Sequence, residues 1–491
     1  MKKLFGTDGM RGEAGKFPLD AETMTAAGRS LARRLASASP GRAPRIVTGR
    51  DTRESGAWIE DAFARGARAG GAGCESAGVV TTPGVAYLAR TLPADAGVVV
   101  SASHNPYQDN GIKIFSPTGR KLDDATERLI EADIHAARAG SGPPSDEASA
   151  LAQDETTSTS SSATSLSNTP RDDKDGADIE ANDAHAARLR RRYLNFLVEE
   201  VAAGLRLDGL KIVIDCANGA ASRLAPELFR RLGAQVVAFG DAPDGRNINR
   251  DCGSLHLEGL CLKVVEESAS FGAAFDGDAD RALFADARGR VVDGDATLWV
   301  LANRMSERGE LAGGRVVATV MSNIGLEIAL RARSLELLRT DVGDKYVLEE
   351  LLRTGAALGG EQSGHVIFPS VSLAGDGMIT TVHMLRALRE TGRELHELTE
   401  GFVQYPQVLV NVRVREKLPF QEVAEIASAA RGVEKELGAG GRLLLRYSGT
   451  EPLARVMIEG ESQADIERLA GGLAAVIGRS LGGNEASGEG R

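Results

Sequence analysis

A repeated unit constrains this chain more than any other feature: a short apolar run stops at a polar loop and is followed by an amphipathic stretch. Residues 45–49 (RIVTG) read as a strand, and Ile59, Phe63 and Ala67 follow at a spacing of four, the apolar face of a helix. Residues 98–100 (VVV) predict a buried strand ending at a polar loop. Residues 211–215 (KIVID) lead into CANGAAS, and 316–320 (VVATV) lead into MSNIG. Pro83 suits the first position of a helix opening at Thr82, and a basic helix is predicted around Arg188–Leu197. Strands alternating with helices imply βαβ units in parallel or mixed sheets, and the recurrence predicts three related α/β domains. Near residue 406 the texture changes. Residues 408–415 (VLVNVRVR) alternate, and a helical stretch, RLLLRYSGT, RVMIEG and a last helix follow, predicting a small α+β domain with an antiparallel sheet.

A length of 491 residues agrees with three or four domains of about 100–200 residues each. The predicted boundaries are 1–140, 187–298, 299–405 and 406–482. Between the first two lies 141–186, an acidic Ser/Thr-rich linker expected to be disordered, and 483–491 reads as a frayed tail. Within 141–183 only Leu151, Leu166 and Ile179 are large and apolar, too little buried surface to offset ordering entropy. That stretch carries ten acidic and two basic residues, so most of the net charge of −11 sits there. The folded remainder is close to balance, and the overall sign does not decide its partners. No apolar run approaches the roughly 18 residues of a membrane span. Gly6, Asp8 and Arg11 interrupt any signal peptide, and the four cysteines form no CxxC pair. A cytoplasmic protein is expected, with neither nucleic acid nor membrane as a partner.

Four segments carry chemistry. In SASHNPYQDNGIKIF (101–115) a buried strand delivers Ser103 and His104 to its carboxyl end, where open α/β sheets bind ligands. Ten residues on, Lys113 sits where a β-hairpin returns it to the same loop. In FDGDADR (275–281), Asp276, Asp278 and Asp280 alternate on a tight loop between apolar AAF and ALFAD. Oxygen-only ligands favour Mg²⁺ or Ca²⁺ over zinc. An EF-hand is excluded, because its sixth and twelfth positions hold Arg281 and Ala287 instead of Gly and Glu. A solvated acidic turn is the bland alternative. GGEQSGHVIF (359–368) offers Glu361, Ser363 and His365 around glycine bends, suited to sugar hydroxyls or an amine, or else to a plain surface turn. RYSGTEPLAR (446–455) sets Arg446, Ser448, Gly449, Thr450 and Arg455 into a compact anion cradle, with an ordinary hairpin as the alternative. FGTDGMRG (5–12) adds Arg11, and TGRDTRESG (48–56) adds Arg50 and Arg53, which Asp–Arg pairing could equally explain.

Together with VATVMSNIGLE (317–327), these segments resemble the signatures of the α-D-phosphohexomutase superfamily, in order and over nearly the whole chain outside 141–183 and the tail. Their wording is closest to that of the bacterial phosphoglucosamine mutases. The resemblance implies four domains around a central cleft, three related mixed α/β units and a smaller α+β lid. It implies that Ser103 carries a phosphoryl group and, with Asp276, Asp278 and Asp280, binds one Mg²⁺. It places Glu361 and Ser363 on sugar hydroxyls, and Arg446, Ser448, Gly449, Thr450 and Arg455 on the non-reacting phosphate. Lys113, Arg11, His104, Arg281 and His365 match positions of proton transfer or transition-state charge.

The implied activity interconverts glucosamine 6-phosphate and glucosamine 1-phosphate through a 1,6-bisphosphate, feeding UDP-N-acetylglucosamine and peptidoglycan precursors. A mutase for glucose or mannose phosphates, a metal-dependent phosphomonoesterase and a sugar-phosphate sensor are the alternatives, and a homodimer is left open. The chain departs from the pattern at Met10, where isoleucine is more usual, at Tyr447, where lysine is frequent, and in the 141–183 insertion.

Overall fold

The computed structural model describes residues 3–6, 8–140, 173–448 and 451–482, with side chains in the helix that opens at Asp173 described from residue 183. Three α/β sheets and one antiparallel sheet follow one another along the chain, the architecture read from the sequence. Two compact units result: Met1–Val291 with Ser363–Leu395, and Val292–Gln362 with His396–Arg491.

The first unit holds two sheets. In the first, the parallel strands Arg45–Arg50, Gly73–Val79 and Ala96–Val100 form one half, with Arg45–Arg50 between the other two. Asp109–Phe115 then returns antiparallel beside Ala96–Val100, and Gly9–Glu13 pairs antiparallel beyond it. Buried Phe5, Met10, Ile46, Val98, Val100, Ile112 and Ile114 pack against Leu31, Ile59 and Phe63 of two helices. Met10 is fully enclosed, so an unbranched side chain fills its place in this core.

Those two helices, Ala21–Ala38 and Gly56–Ala69, cross at glycines. A Cβ on Gly28 would lie 2.1 Å from the Phe63 carbonyl oxygen, and one on Gly66 would lie 1.9 Å from the Thr25 oxygen. The second sheet centres on Lys211–Asp215, flanked in parallel by Gln235–Phe239 and Phe271–Phe275. Phe271–Phe275 continues into an antiparallel hairpin with Ala282–Asp286.

The expected boundary at 186 falls inside the helix Asp173–Phe196. Ala186, Leu189 and Tyr193 give its C-terminal half an apolar face, a continuation that acidic composition alone does not reveal. Residues 141–172 and 483–491, expected as linker and tail, lie outside the described residues. Tyr87 packs on Tyr193 and stacks on Phe196. The Tyr193 hydroxyl donates to Asp376 (2.5 Å), whose other oxygen accepts from the Met378 and Ile379 amides and caps the helix Gly377–Thr391. Arg386 of that helix donates to the carbonyls of Val201 and Ala203.

In the second unit, Arg315–Thr319 lies between Glu336–Thr340 and Leu358–Gly360, all parallel. The boundary expected at 298–299 cuts the helix Gly294–Glu307, whose cap Asp293 accepts from the Ala296 amide. The last sheet has Leu453–Glu459 at its centre, antiparallel to Gln407–Arg413 and Arg442–Tyr447. Val412, Ala454, Val456 and Ile458 on one face pack against the helix Gln463–Leu481 through Ile466, Leu473 and Ile477. Arg442 and the buried Glu459 grip the loop after Arg315–Thr319: Arg442 donates to the Val320 and Ser322 carbonyls, and Glu459 accepts from the Ile324 amide. Among the described residues no helix is long and apolar enough to cross a membrane.

The helix crossing gives the first prediction. Gly66→Ala forces the two helices apart and should lower unfolding free energy by about 1–3 kcal/mol, read from the midpoint of a chemical denaturation curve. An unshifted midpoint would mean the crossing absorbs a methyl group.

Candidate active site

Two loops of the first unit build the site. The first leaves the strand Ala96–Val100 and adopts an irregular course fixed by side chains. Ser101 donates to Asp51 (2.6 Å) and accepts from the Ser103 amide (2.9 Å). Ser103 takes φ 52°, a left-handed conformation that L-residues other than Asn, Asp and Gly rarely adopt. Arg53 holds that turn: its guanidinium donates to the carbonyls of Ser103 (2.9 Å), Asn105 (2.8 Å) and Pro106 (2.5 Å) and pairs with Asp51 (2.9 Å). The Arg53 and Asp51 side chains are wholly enclosed, so Arg53 is a structural clamp on the serine loop. Arg50 pairs with Glu60 and lies outside the cluster around Ser103.

The second loop is the hairpin connection 276–281, pinned by the pairing of Phe275 with Ala282. Asp276, Asp278 and Asp280 are all buried, and each offers an oxygen within 4.8 Å of the others. Ala279 turns at φ 56°, and a Cβ on Gly277 would lie 2.5 Å from the Ser103 carbonyl oxygen, so only glycine lets the two loops touch. Ser103 Oγ donates to Asp276 Oδ2 at 2.5 Å, with His104 Nδ1 3.2 Å from the same hydroxyl.

The hairpin expected to return Lys113 is present, with Val99 opposite Lys113. Lys113 Nζ reaches Asp278 and Asp280 at 3.0 Å each and Asp8 at 3.1 Å. Thr82 donates its hydroxyl to Asp278 Oδ2 (2.5 Å) and its amide to the Asp278 carbonyl (3.0 Å). Arg281 gives its amide to Asp276 (3.2 Å) and its side chain approaches His104 Nδ1 (3.2 Å). Arg11 contacts Asn105 (3.3 Å) and pairs with Asp8. His365 Nδ1 stands 3.7 Å from Asp280, on a turn held by the Ala282 amide donating to the Gly364 carbonyl. A Cβ on Gly375 would strike the His365 ring at 2.3 Å.

The electrostatics separate the three acids. Burial, with Asp280 and Asp278 alongside, pushes the Asp276 carboxyl well up. Asp280 is buried too, yet Lys113, His365 and Arg281 hold it well below the usual carboxylate range. Lys113, despite complete burial, is held well above the ordinary lysine value by Asp278, Asp280 and Asp8. Burial and the neighbouring Arg281 and Arg11 lower the His104 imidazole to about 4, so it is neutral near pH 7.

The donor set fits a hard divalent cation. Asp278 Oδ1 and Asp280 Oδ1 are buried and accept no hydrogen bond, which is costly for carboxylate oxygens unless a cation takes them. All three loop ligands are oxygens, as Mg²⁺ prefers.

The remaining sequence candidates divide. Ser363 belongs to the first unit, and its hydroxyl is buried without a hydrogen-bond partner. In the second unit, Glu361 accepts from the Gly343 amide (3.1 Å). Arg446 and Arg455 lie directly opposite one another in the antiparallel pair, and Ser448 Oγ accepts from the Glu451 amide (3.3 Å). Gly449 and Thr450 lie outside the described residues. Tyr447 turns to the other face, stacks on Phe420 and donates to the Leu418 carbonyl. Lys417 donates to the Ser448 carbonyl (2.5 Å) and so returns a positive charge to this turn.

Sequence reasoning missed Asp8, Thr82 and Asn249. Asp8 stood in a motif read only for Arg11, Thr82 was read as a helix start, and Asn249 donates its side-chain amide to the Ser103 and Asn105 carbonyls, groups that no motif reveals.

Comparison with known proteins places this geometry in a class. Models of phosphoglucomutase/phosphomannomutase domains I, II, III and C-terminal match residues 2–140, 191–289, 293–405 and 409–476. A phosphoglucosamine mutase from Solibacter usitatus is 48% identical over 481 residues, covering 98% of this chain and 99% of the relative. One from Koribacter versatilis is 44% identical, covering 98% of each. Among solved structures, a phosphoglucomutase/phosphomannomutase family protein from Burkholderia thailandensis has the same fold, with a TM-score of 0.75 at 24% identity over 98% of this chain and 99% of its own. An Aspergillus fumigatus N-acetylphosphoglucosamine mutase, solved with GlcNAc-6P and magnesium, gives a TM-score of 0.61 at 18% identity, over 97% of this chain and 96% of its own. The chain belongs to the phosphoglucosamine mutase family of the phosphohexomutases.

The Thr82 contact gives the second prediction. Thr82→Val keeps the shape but removes the donor that orients Asp278, and should weaken Mg²⁺ binding, followed by titration calorimetry, by about 10–100-fold. Unchanged affinity would mean Asp278 is oriented without Thr82.

Proposed function

We propose that this protein interconverts glucosamine 6-phosphate and glucosamine 1-phosphate, with Ser103 as the phosphoryl carrier. One observation carries the reading: the Ser103 hydroxyl rests on Asp276 of the acidic trio, a hydrogen bond between residues far apart in sequence. The names of relatives covering nearly the whole chain support the same substrate.

Asp276, Asp278 and Asp280, with an oxygen of phosphorylated Ser103, would hold Mg²⁺. That ion supplies charge neutralisation on the phosphoryl group and on the seryl oxygen as it leaves. Phosphoryl transfer asks for positioning and stabilised oxygen charge more than for covalent chemistry. Lys113, Arg11 and Arg281 bring fixed positive charge to that task. The imidazoles of His104 and His365 lie beside Ser103 and Asp280 and can take or return a proton.

In the first half-reaction the Ser103 Oγ–phosphorus bond breaks, a bond from the sugar O1 to phosphorus forms, and the proton lost by O1 is matched by one gained at the seryl oxygen. The product is a sugar 1,6-bisphosphate. After it turns end for end, the O6–phosphorus bond breaks, Ser103 Oγ gives up its proton and regains the phosphoryl group, and O6 takes up a proton in its place. Glu361 and Ser363 are assigned to sugar hydroxyls. Arg446, Ser448, Gly449, Thr450 and Arg455 are assigned to whichever phosphate is not reacting. For Arg446 and Arg455 the support is physical: two like charges directly opposed on adjacent strands disfavour the sheet unless an anion joins them.

Ser103→Ala should reduce turnover of glucosamine 6-phosphate to background while Mg²⁺ binding persists. Intact mass of the wild-type protein should show one phosphoryl group that the variant lacks. Turnover retained by the variant would overturn the carrier role. Free phosphate as the main product would indicate a phosphomonoesterase, and equal turnover of glucose or mannose 6-phosphate would remove the amino-sugar assignment.

A further inference from the structure

Carbonyl groups, which carry no sequence signal, set the conformation of the serine loop. The Ser103 and Asn105 carbonyls each receive two donors. Arg53 from the first sheet's loop supplies one to each, at 2.9 and 2.8 Å. Asn249 supplies the other from the second sheet's domain: its side-chain amide donates to the Ser103 carbonyl at 2.9 Å and to the Asn105 carbonyl at 3.1 Å.

Asn249 is itself fixed. Its backbone turns at φ 57°, where asparagine is among the few tolerated residues, and its amide donates to the Ala217 carbonyl (2.9 Å). The hairpin glycine of the acidic loop closes the arrangement. A Cβ on Gly277 would lie 2.5 Å from the Ser103 carbonyl oxygen and 2.9 Å from Asn249 Nδ2. Asn249 thus touches the serine loop at the point where the acidic loop presses on it.

The segment bearing Asn249 is tied to the same region by independent bonds. The Glu54 amide donates to the Gly245 carbonyl (2.9 Å), Arg246 pairs with Glu54 (2.7 Å), and Thr52 donates to the Asn218 carbonyl (2.6 Å). Residues 52–54, which include the clamp Arg53, and the loop carrying Asn249 are thus joined in one hydrogen-bonded network.

We propose that Asn249 is a positioning residue for phosphoryl transfer at Ser103: as the second half of a two-donor clamp, it holds the Ser103 hydroxyl in register with the acidic loop. The inference rests on the reading of Ser103 as carrier. Its chemistry is that of misalignment, in which a displacement of about 1 Å costs up to about 100-fold in rate without weakening substrate binding.

The test uses the full-length protein and two variants. Asn249→Gly keeps the left-handed backbone at no steric cost and removes the amide. Asn249→Asp keeps the shape and the backbone but turns a donor into a carboxylate facing two carbonyl oxygens. Both should lower kcat for glucosamine 6-phosphate by about 10–100-fold with KM within about threefold of wild type. Both should also speed amide hydrogen exchange in the peptide spanning 101–108, with the unfolding midpoint of Asn249→Gly little changed. A role in filling space predicts instead that Asn249→Asp behaves as wild type. If kcat of Asn249→Asp stays within about twofold, the clamp is refuted. If wild-type protein shows no mutase turnover, the carrier reading falls, and the exchange measurement still decides whether Asn249 holds the loop.

Discussion

A fully buried lysine ammonium, set among the carboxylates of Asp8, Asp278 and Asp280, is the interaction on which the site depends. A lone charge in such a place is too costly to persist, so Lys113 and its acids must be assembled together. They come from three places in sequence: the N-terminal hairpin, the strand after the serine loop, and the hairpin of the second sheet. Folding either sheet without the other would strand part of this cluster. The same cluster divides the acidic trio. Lys113 gathers Asp278 and Asp280, while Asp276 is left to the Ser103 hydroxyl and is driven towards its protonated form by burial and by its two neighbours. A divalent cation held among these carboxylates would favour the ionised form of Asp276 by offsetting the repulsion from Asp278 and Asp280.

The loops around this cluster carry most of the backbone cost. Ser103, Ala217, Asn218, Asn249, Asp251 and Ala279 all take positive φ, leaving only Ser268 and Ser334 among the described non-glycine residues of that kind. Each such residue costs on the order of 1–2 kcal/mol against an ordinary conformation. The buried hydrogen bonds that hold them are consequently dense. Asp215 accepts from the Ala217 and Gly253 amides, and Ala220 donates to the Gly277 carbonyl (2.8 Å). Asp215 is wholly buried, and that burial raises its carboxyl to about 6.

This pattern explains what the sequence disclosed and what it withheld. Strands ending in polar loops are written in apolar runs, so the three α/β sheets and the positions of Ser103 and the acidic trio were legible. Lys113 was legible because a hairpin's register follows from the chain between its strands. Alanine at 217 or 279 gives no hint of a left-handed turn, since composition there favours the opposite. For Arg53 the Asp–Arg pairing was legible and is present with Asp51, but its three carbonyl partners exist only once the loop is folded. Thr82 and Asn249 were silent for the same reason: each acts on a group brought near by another domain. The helix at Asp173–Phe196 was cut short because its acidic start masks the apolar face that Ala186, Leu189 and Tyr193 form further along.

The C-terminal sheet shows the opposite economy of charge. On its outer face Arg442 and Glu459 face each other across the strands and neutralise one another, binding the loop at 320–324 as they do so. Further along, Leu444 and Met457 form an apolar step, and then Arg446 faces Arg455. The same ladder therefore carries a matched pair at one end and a repelling pair at the other. The Arg455 Nε is buried without an acceptor, and the nearest carboxylate, Glu451, stands at 3.7 Å. A sheet selected for stability alone would not place its arginines so. Forked guanidinium groups answer a doubly charged phosphate well, and pre-aligned on a rigid ladder they lose little freedom in doing so. An anion bound between Arg446 and Arg455 would offset their like charge, so this end of the sheet should be more stable filled than empty.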